Sequence, residues 1–425
     1  MWNKQDSPPE QQPQAPPEAE KDENALKEEI ILIPDLIALQ KASETPEPEP
    51  EKRSILSFLR QRNVIVFLVC AVLIVGVVCF AVFGGAGLMD RAVRLVRYSG
   101  DTTEFTFDAS SANRYVPFRG GLAVASVSGL RCLNSDAEEI ALVQNHMDPP
   151  AVLENGTVAM SYGIGGSTIT AIHYKDGEIL NLTVPGILLD ADLSPDSCLC
   201  HASVQTGYKT VLTVLNRIGE EIYRWYSSTQ FFNQCALSQK AEYMAAIALG
   251  QEESSFQTSC VVFATDQEAP IATLPLGSDY VLDLRFVSNR RLCAVGEGAL
   301  HYFDIDGTND RQYSYDGGTL LAYDLNGEGF AAIVRNMNEA GSRYRITTVA
   351  DSGAALAELR VDDEILSISA NGNYLAVLTA GSLKVYDSHL RLCLSSDDVG
   401  FATEVCVQRD GAALLIDGTT AHRIS

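Results

Sequence analysis

A short apolar run with a small residue inside it recurs eight times, and that recurrence limits the fold more than any other feature of the chain. The runs fall at 122–125, 157–160, 198–202, 244–248, 292–295, 330–334, 375–378 and 413–416. Their spacing of roughly 35–48 residues is that of propeller blades. After each run comes a second strand signal, as at 300–304 or 383–387, and turn residues then lead to a third, as at 175–178 before 179–182. Before each run stands a strand that ends in a polar turn, such as Leu193-Ser194-Pro195-Asp196. Four short strands per unit make the blade of an all-β propeller.

Eight runs predict eight blades, yet the chain stops after three strands of the eighth. The missing outer strand is available upstream in Glu104-Phe105-Thr106-Phe107-Asp108, whose alternation suits a half-buried strand. Paired with 420–424 it would close the ring and leave no open edge. Seven blades is the alternative, because the first unit is compact.

Particular stretches of these repeats resemble a known family. They are Tyr223-Arg224-Trp225-Tyr226-Ser227, Leu282-Asp283-Leu284-Arg285-Phe286, the run from Arg291 to Gly296, Ala322-Tyr323-Asp324-Leu325 with Gly329-Phe330-Ala331-Ala332, and Tyr374 to Leu378. The chain resembles, from about Arg60 to its end, the uncharacterised bacterial family catalogued as domain of unknown function 5711. That resemblance implies a single-span membrane protein with a WD40- or quinoprotein-like propeller. It brings no catalytic residues.

Ahead of the repeats, Val64 to Phe83 is uncharged and apolar. As a helix it spans roughly 30 Å, the hydrocarbon thickness of a bilayer. A cleaved signal peptide would have a short leader and an apolar run of about 7–15 residues, and neither fits. The expected layout is a disordered, acidic, proline-rich cytosolic tail over 1–62, a transmembrane helix over 63–85, a juxtamembrane linker over 86–101 and the propeller over 102–425. Charge decides orientation weakly, since Lys52, Arg53, Arg60 and Arg62 precede the span and Arg91, Arg94 and Arg97 follow it. A late anchor with a large domain behind it favours an N-terminus inside and an extracytoplasmic propeller at the cell membrane. One apolar island, Ile30, Ile31, Leu32, Leu36, Ile37 and Leu39, breaks the tail's polarity. It reads either as a docking motif for a cytosolic protein or as a segment that merely touches the membrane.

The formal charge is −24, with both soluble parts acidic. No basic stripe exists to follow phosphates, so nucleic-acid binding is rejected. Of ten cysteines, Cys70 and Cys79 lie in the span, and most of the others sit inside apolar runs, where they behave as small buried hydrophobes. Metal readings fail on geometry: on a strand Cys198 and Cys200 share a face while His201 points away. The 304–310 loop lacks the full aspartate series and distal glutamate of a calcium site. Gly163-Ile164-Gly165-Gly166-Ser167 is expected to be a hairpin loop. No cofactor is expected, and no Ser/His/Asp set, His-Glu-x-x-His or Walker loop occurs.

The strand before each run is expected to face the propeller axis, and there it offers Asp192, Arg285, Asp324 and Gln408 as channel-lining candidates. The function expected is non-catalytic: a scaffold or ligand-binding module of the cell envelope with a protein or envelope-polymer partner. Transmembrane signalling through the tail is the second reading. An envelope hydrolase or lyase is the third, since propellers host such sites.

Overall fold

A computed structural model describes residues 103–425 except 253–254 and 340–341. The tail, its apolar island, the Val64 to Phe83 span and the linker lie outside the described residues. Within them no helix is long and apolar enough to cross a membrane.

Thirty-two strands form eight antiparallel four-stranded sheets, each built of consecutive strands except the last. The eight sheets are the blades of a propeller, numbered 1 to 8 in chain order. Their inner strands are β2 (Arg114–Phe118), β6 (Pro150–Glu154), β10 (Ile187–Leu193), β14 (Phe231–Leu237), β18 (Val281–Phe286), β22 (Thr319–Asp324), β26 (Ile365–Asn371) and β30 (Glu404–Val407). All eight apolar runs fall on second strands, as the spacing predicts.

The burial of those runs has a simple cause. A second strand is covered on both faces, because its blade is sandwiched between two others. In blade 1, Leu122 and Val124 point into the interface with blade 8, while Ala123 and Ala125 point into that with blade 2. In blade 6, Ala331 and Ile333 face blade 5, while Phe330, Ala332 and Val334 face blade 7. A strand buried on both faces reads as a continuous apolar run instead of alternating. The core is accordingly eight separate clusters, one per interface between neighbouring blades.

The last blade takes its outer strand from the start of the domain. β1 (Glu104–Thr106) lies antiparallel to β32 (Thr420–Ile424), pairing Glu104 with His422, Phe105 with Ala421 and Thr106 with Thr420. Phe107 adds a bond from its N–H to the Thr419 carbonyl, 3.0 Å. Both phenylalanines are buried between blades 8 and 1. Blade 1 is complete, with four strands of its own, so the ring has eight blades and not seven.

All eight described cysteines are free thiols; six are buried and Cys198 and Cys393 half-buried. Cys200 and Cys235 approach across the interface of blades 3 and 4, but their sulfurs stay 3.7 Å apart, well beyond a disulfide bond.

The two rims of the ring differ in charge. On the lower face lie the connections from inner to second strands and from third to outer strands. They contain cations, among them Arg119, Lys175, Arg217, Lys240, Arg290, Arg391 and Arg409, together with acids. The connections on the upper face, from second to third strands and from blade to blade, hold acids and, among the described residues, no lysine or arginine.

Closure by β1 makes a prediction. Replacing Phe105, which is fully buried, by alanine should cost about 3–5 kcal/mol in a denaturant melt. Replacing exposed Glu104 on the same strand should change stability by less than about 0.5 kcal/mol. Equal midpoints for the two variants would mean that the ring does not depend on this strand.

Candidate functional site

An inner strand of a propeller has a second strand on one side and only the axial channel on the other. Its remaining backbone N–H groups need acceptors. This chain supplies them from the blade before. Asp190 Oδ2 on β10 accepts the N–H of Cys235 on β14 at 2.8 Å, and Asp192 Oδ2 accepts that of Leu237 at 2.8 Å. Asp324 Oδ2, ending β22, accepts the N–H of Ala370 on β26 at 2.7 Å. Ser367 and Ser369 on β26 do the same for Val405 and Val407 on β30, at 3.3 and 3.0 Å.

Between blades 5 and 6 the link is made by side chains. Arg285 donates to Asn326 Oδ1, and Tyr323 lies in hydrogen-bond reach of Asp283. Asn326 in turn donates through its backbone N–H and Nδ2 to Asp324 Oδ1, both at 2.8 Å.

These contacts gather five carboxylates, Glu154, Asp190, Asp192, Asp283 and Asp324, within electrostatic reach of Arg285 or one another. All five are half-buried, reached by solvent yet surrounded by protein. Burial pushes every one of them above its ordinary range, most strongly Asp190, raised to about 7, and Asp283, raised to about 6. The neighbouring Asp192 raises both further, against the backbone and Tyr162 bonds that lower Asp190. The Arg285 guanidinium pulls Glu154, Asp192, Asp283 and Asp324 back down. Tyr162 Oη donates to Asp190 Oδ1 at 2.7 Å. The arrangement can take up and release protons around pH 6–7 while holding the blades together.

Of the four residues singled out from sequence, Asp192, Arg285 and Asp324 come together here. Gln408 stands elsewhere: β30 ends at Val407, and the Gln408 amide is buried in the following turn, donating to the Gly121 carbonyl of blade 1 at 2.8 Å. Gly121 itself admits no side chain, since a Cβ would sit 2.1 Å from the Leu133 carbonyl oxygen. Sequence reading missed Glu154, Asp190 and Asp283. Each of the two aspartates lies two residues before a chosen residue on the same strand, hence on the same face, and that period was the available signal, whereas Glu154 ends β6, a strand from which no residue was chosen.

The other motifs are occupied structurally. Asp304 pairs with Arg291 at 2.9 Å, and Asp306 accepts from the backbone and hydroxyl of Thr308. The glycine loop after β7 (Val158–Gly163) pairs with Leu188 of blade 3 through Gly165 N–H and Gly166 C=O, both 2.8 Å. Cys200 packs into the interface of blades 3 and 4, and burial lowers His201 to about 4. Among the described residues no cluster of His, Cys, Asp and Glu is fit to hold a metal ion. A cleft of about 600 Å³ opens on the lower face between blades 4 and 5, lined in part by Glu242, Tyr243, Thr265 and Arg290.

The fold defines an eight-bladed β-propeller. By its sequence the chain belongs to the family of unknown function DUF5711, whose model matches residues 94–397. The C-terminal WD40 domain of Sif2 shares 12% identity over 76% of this chain and 97% of that one, with a TM-score of 0.51. BamB from Moraxella catarrhalis shares 14% over 76% of this chain and 96% of that one, with a TM-score of 0.44. No curated protein matches the chain in sequence.

The raised carboxyls set a pH dependence. Asp190 titrates at about 7 in the folded chain against an ordinary 3.8, so the folded state binds its proton more tightly. The stability this contributes is fully present below 3.8 and is lost as pH rises towards about 7. The melting temperature should therefore fall over that interval, and Asp190→Asn should flatten the fall. An unchanged slope in the variant would remove Asp190 as its source.

Proposed function

We propose that this protein is a non-catalytic scaffold or ligand-binding propeller of the cell envelope. In this reading Val64 to Phe83 anchors it, the tail lies in the cytosol and the propeller stands outside. The observation that carries the proposal is the use of the axial carboxylates. Asp190, Asp192 and Asp324 are engaged as acceptors for the next blade, a structural duty that by itself accounts for carboxylates at these positions without a catalytic role.

Protease added to intact cells, after removal of any wall, should digest the propeller and spare the tail. Digestion of the tail with protection of the propeller would reverse the orientation.

The apolar island of the tail favours a second reading, transmembrane signalling. Ile30, Ile31, Leu32, Leu36, Ile37 and Leu39 stand in a segment too polar to bury a core of its own. A cytosolic protein recovered with the wild-type chain should be lost when all six become serine. Recovery without difference would leave the island with no docking role.

A further inference from the structure

All six exposed aromatic side chains among the described residues lie on the upper face. Tyr208 and Tyr226 meet on blade 3 with ring centroids 4.7 Å apart. Phe231 begins the inner strand of blade 4, and Phe256 of that blade meets Tyr280, just before blade 5, at 6.1 Å. These five form an arc over three consecutive blades. Phe401, 93% exposed, stands before the inner strand of blade 8.

The same face has relief. In blade 4, β15 (Tyr243–Glu252) runs three residues past Leu249, the partner of Phe231, before β16 (Ser255–Ala264) returns. In blade 6, β23 (Phe330–Glu339) runs three residues past Asn336, the partner of Thr319, before β24 (Ser342–Ala350) returns. Each hairpin thus rises about 10 Å above its inner strand. Blade 5 lies between them, presenting Tyr280 and Glu297, while Asp279 beside them is bonded to His301 Nε2 at 2.9 Å and accepts the Gly298 N–H at 3.0 Å. The connections beyond blade 6 add Asp362, Asp363 and Glu364, then Asp397 and Asp398. The cations beside this surface are already held: Lys209 has its ammonium 5.1 Å from the Phe231 ring and bonded to the Thr229 carbonyl, Arg224 pairs with Glu221 and donates to the Tyr226 hydroxyl at 3.4 Å, and Arg343 on the blade 6 hairpin lies 5.4 Å from the Tyr344 ring.

We propose that the upper face docks a polypeptide segment carrying both apolar and cationic side chains, seated over blade 5 and along the aromatic arc. Rigid aromatics supply contact area at low entropic cost, and exposed ones gathered on one face mark an interaction surface. The acidic connections draw in a cationic partner and repel anionic ones such as lipid headgroups, nucleic acid and acidic wall polymers. They also disfavour the chain's own occupants. The tail through Arg62 holds eight lysines and arginines against thirteen acids, and a second copy would set acid against acid. This deepens the scaffold reading and rests on it only in treating the propeller as a binding module. The test below uses purified protein and is indifferent to membrane orientation, so the two can fail separately.

The full chain in phosphatidylcholine nanodiscs, with empty nanodiscs as blank, is titrated with a short fluorescent peptide alternating lysine and leucine. Peptides alternating glutamate with leucine, and lysine with serine, serve as comparisons. The lysine–leucine peptide should bind best, weaken with salt, and lose about tenfold or more in affinity to Tyr208→Asn with Phe231→Asn. Ile218→Asn with Leu392→Asn, exposed but not on the upper face, should bind as wild type. All four side chains are exposed, so melting should be unchanged. No binding by the lysine–leucine peptide, wild-type affinity in the upper-face variant, or equal loss in the other variant would each overturn the proposal.

Discussion

The ring depends on one short pairing, three residues of β1 against β32. Every other blade is made of consecutive strands and contributes to two apolar clusters, one with each neighbour. Such an arrangement would be a linear stack with two exposed ends if it did not close. Closure turns the two end surfaces into one more buried cluster, in which Phe105 and Phe107 pack with Leu122 and Val124 of blade 1 and Leu414 and Ile416 of blade 8. Polar contacts fix the same seam. Gln408 and Arg423 reach the carbonyls of Gly121 and Gly120, and Arg423 also pairs with Asp410 at 3.0 Å.

Inside the ring, the demand that shapes chemistry is the open edge of each inner strand. Aspartate and serine answer it in different blades, and the choice has electrical consequences. Serine satisfies an N–H without charge. Aspartate satisfies it with a carboxylate that burial disfavours, and several such carboxylates close together disfavour one another. Arg285 offsets part of this for four of the five. The channel's acidity therefore follows from how the blades are joined as well as from any ligand it admits.

Much of the architecture was legible because propeller blades write a regular code. The doubly covered second strands read as apolar runs, and Phe105 and Phe107 showed the alternation of a strand with one buried face. The axial cluster was legible only in part. Asp192, Arg285 and Asp324 were found by position within the repeat, but register shifts between Leu188 and Asp190 and between Val281 and Asp283 obscure where each inner strand turns its side chains. Gln408 was misleading because β30 is short, so a residue at a strand-like position falls in a turn. The aromatic arc was invisible, since its members are far apart in sequence and gather only once strand direction assigns them to one rim.

The chain enters the ring at Thr103 on the lower face and ends at Ser425 on that same side. Any tension between the segment ahead of Thr103 and a body gripping the upper rim must pass through β1. That strand is held by three residue pairs and one further backbone bond, loaded along its length. That seam is thus also the first place to yield under load. Peeling β1 from β32 would open the ring between blades 8 and 1, yet the chain runs on unbroken from β1 into β2, so whatever the propeller holds stays tethered while the blades stay stacked.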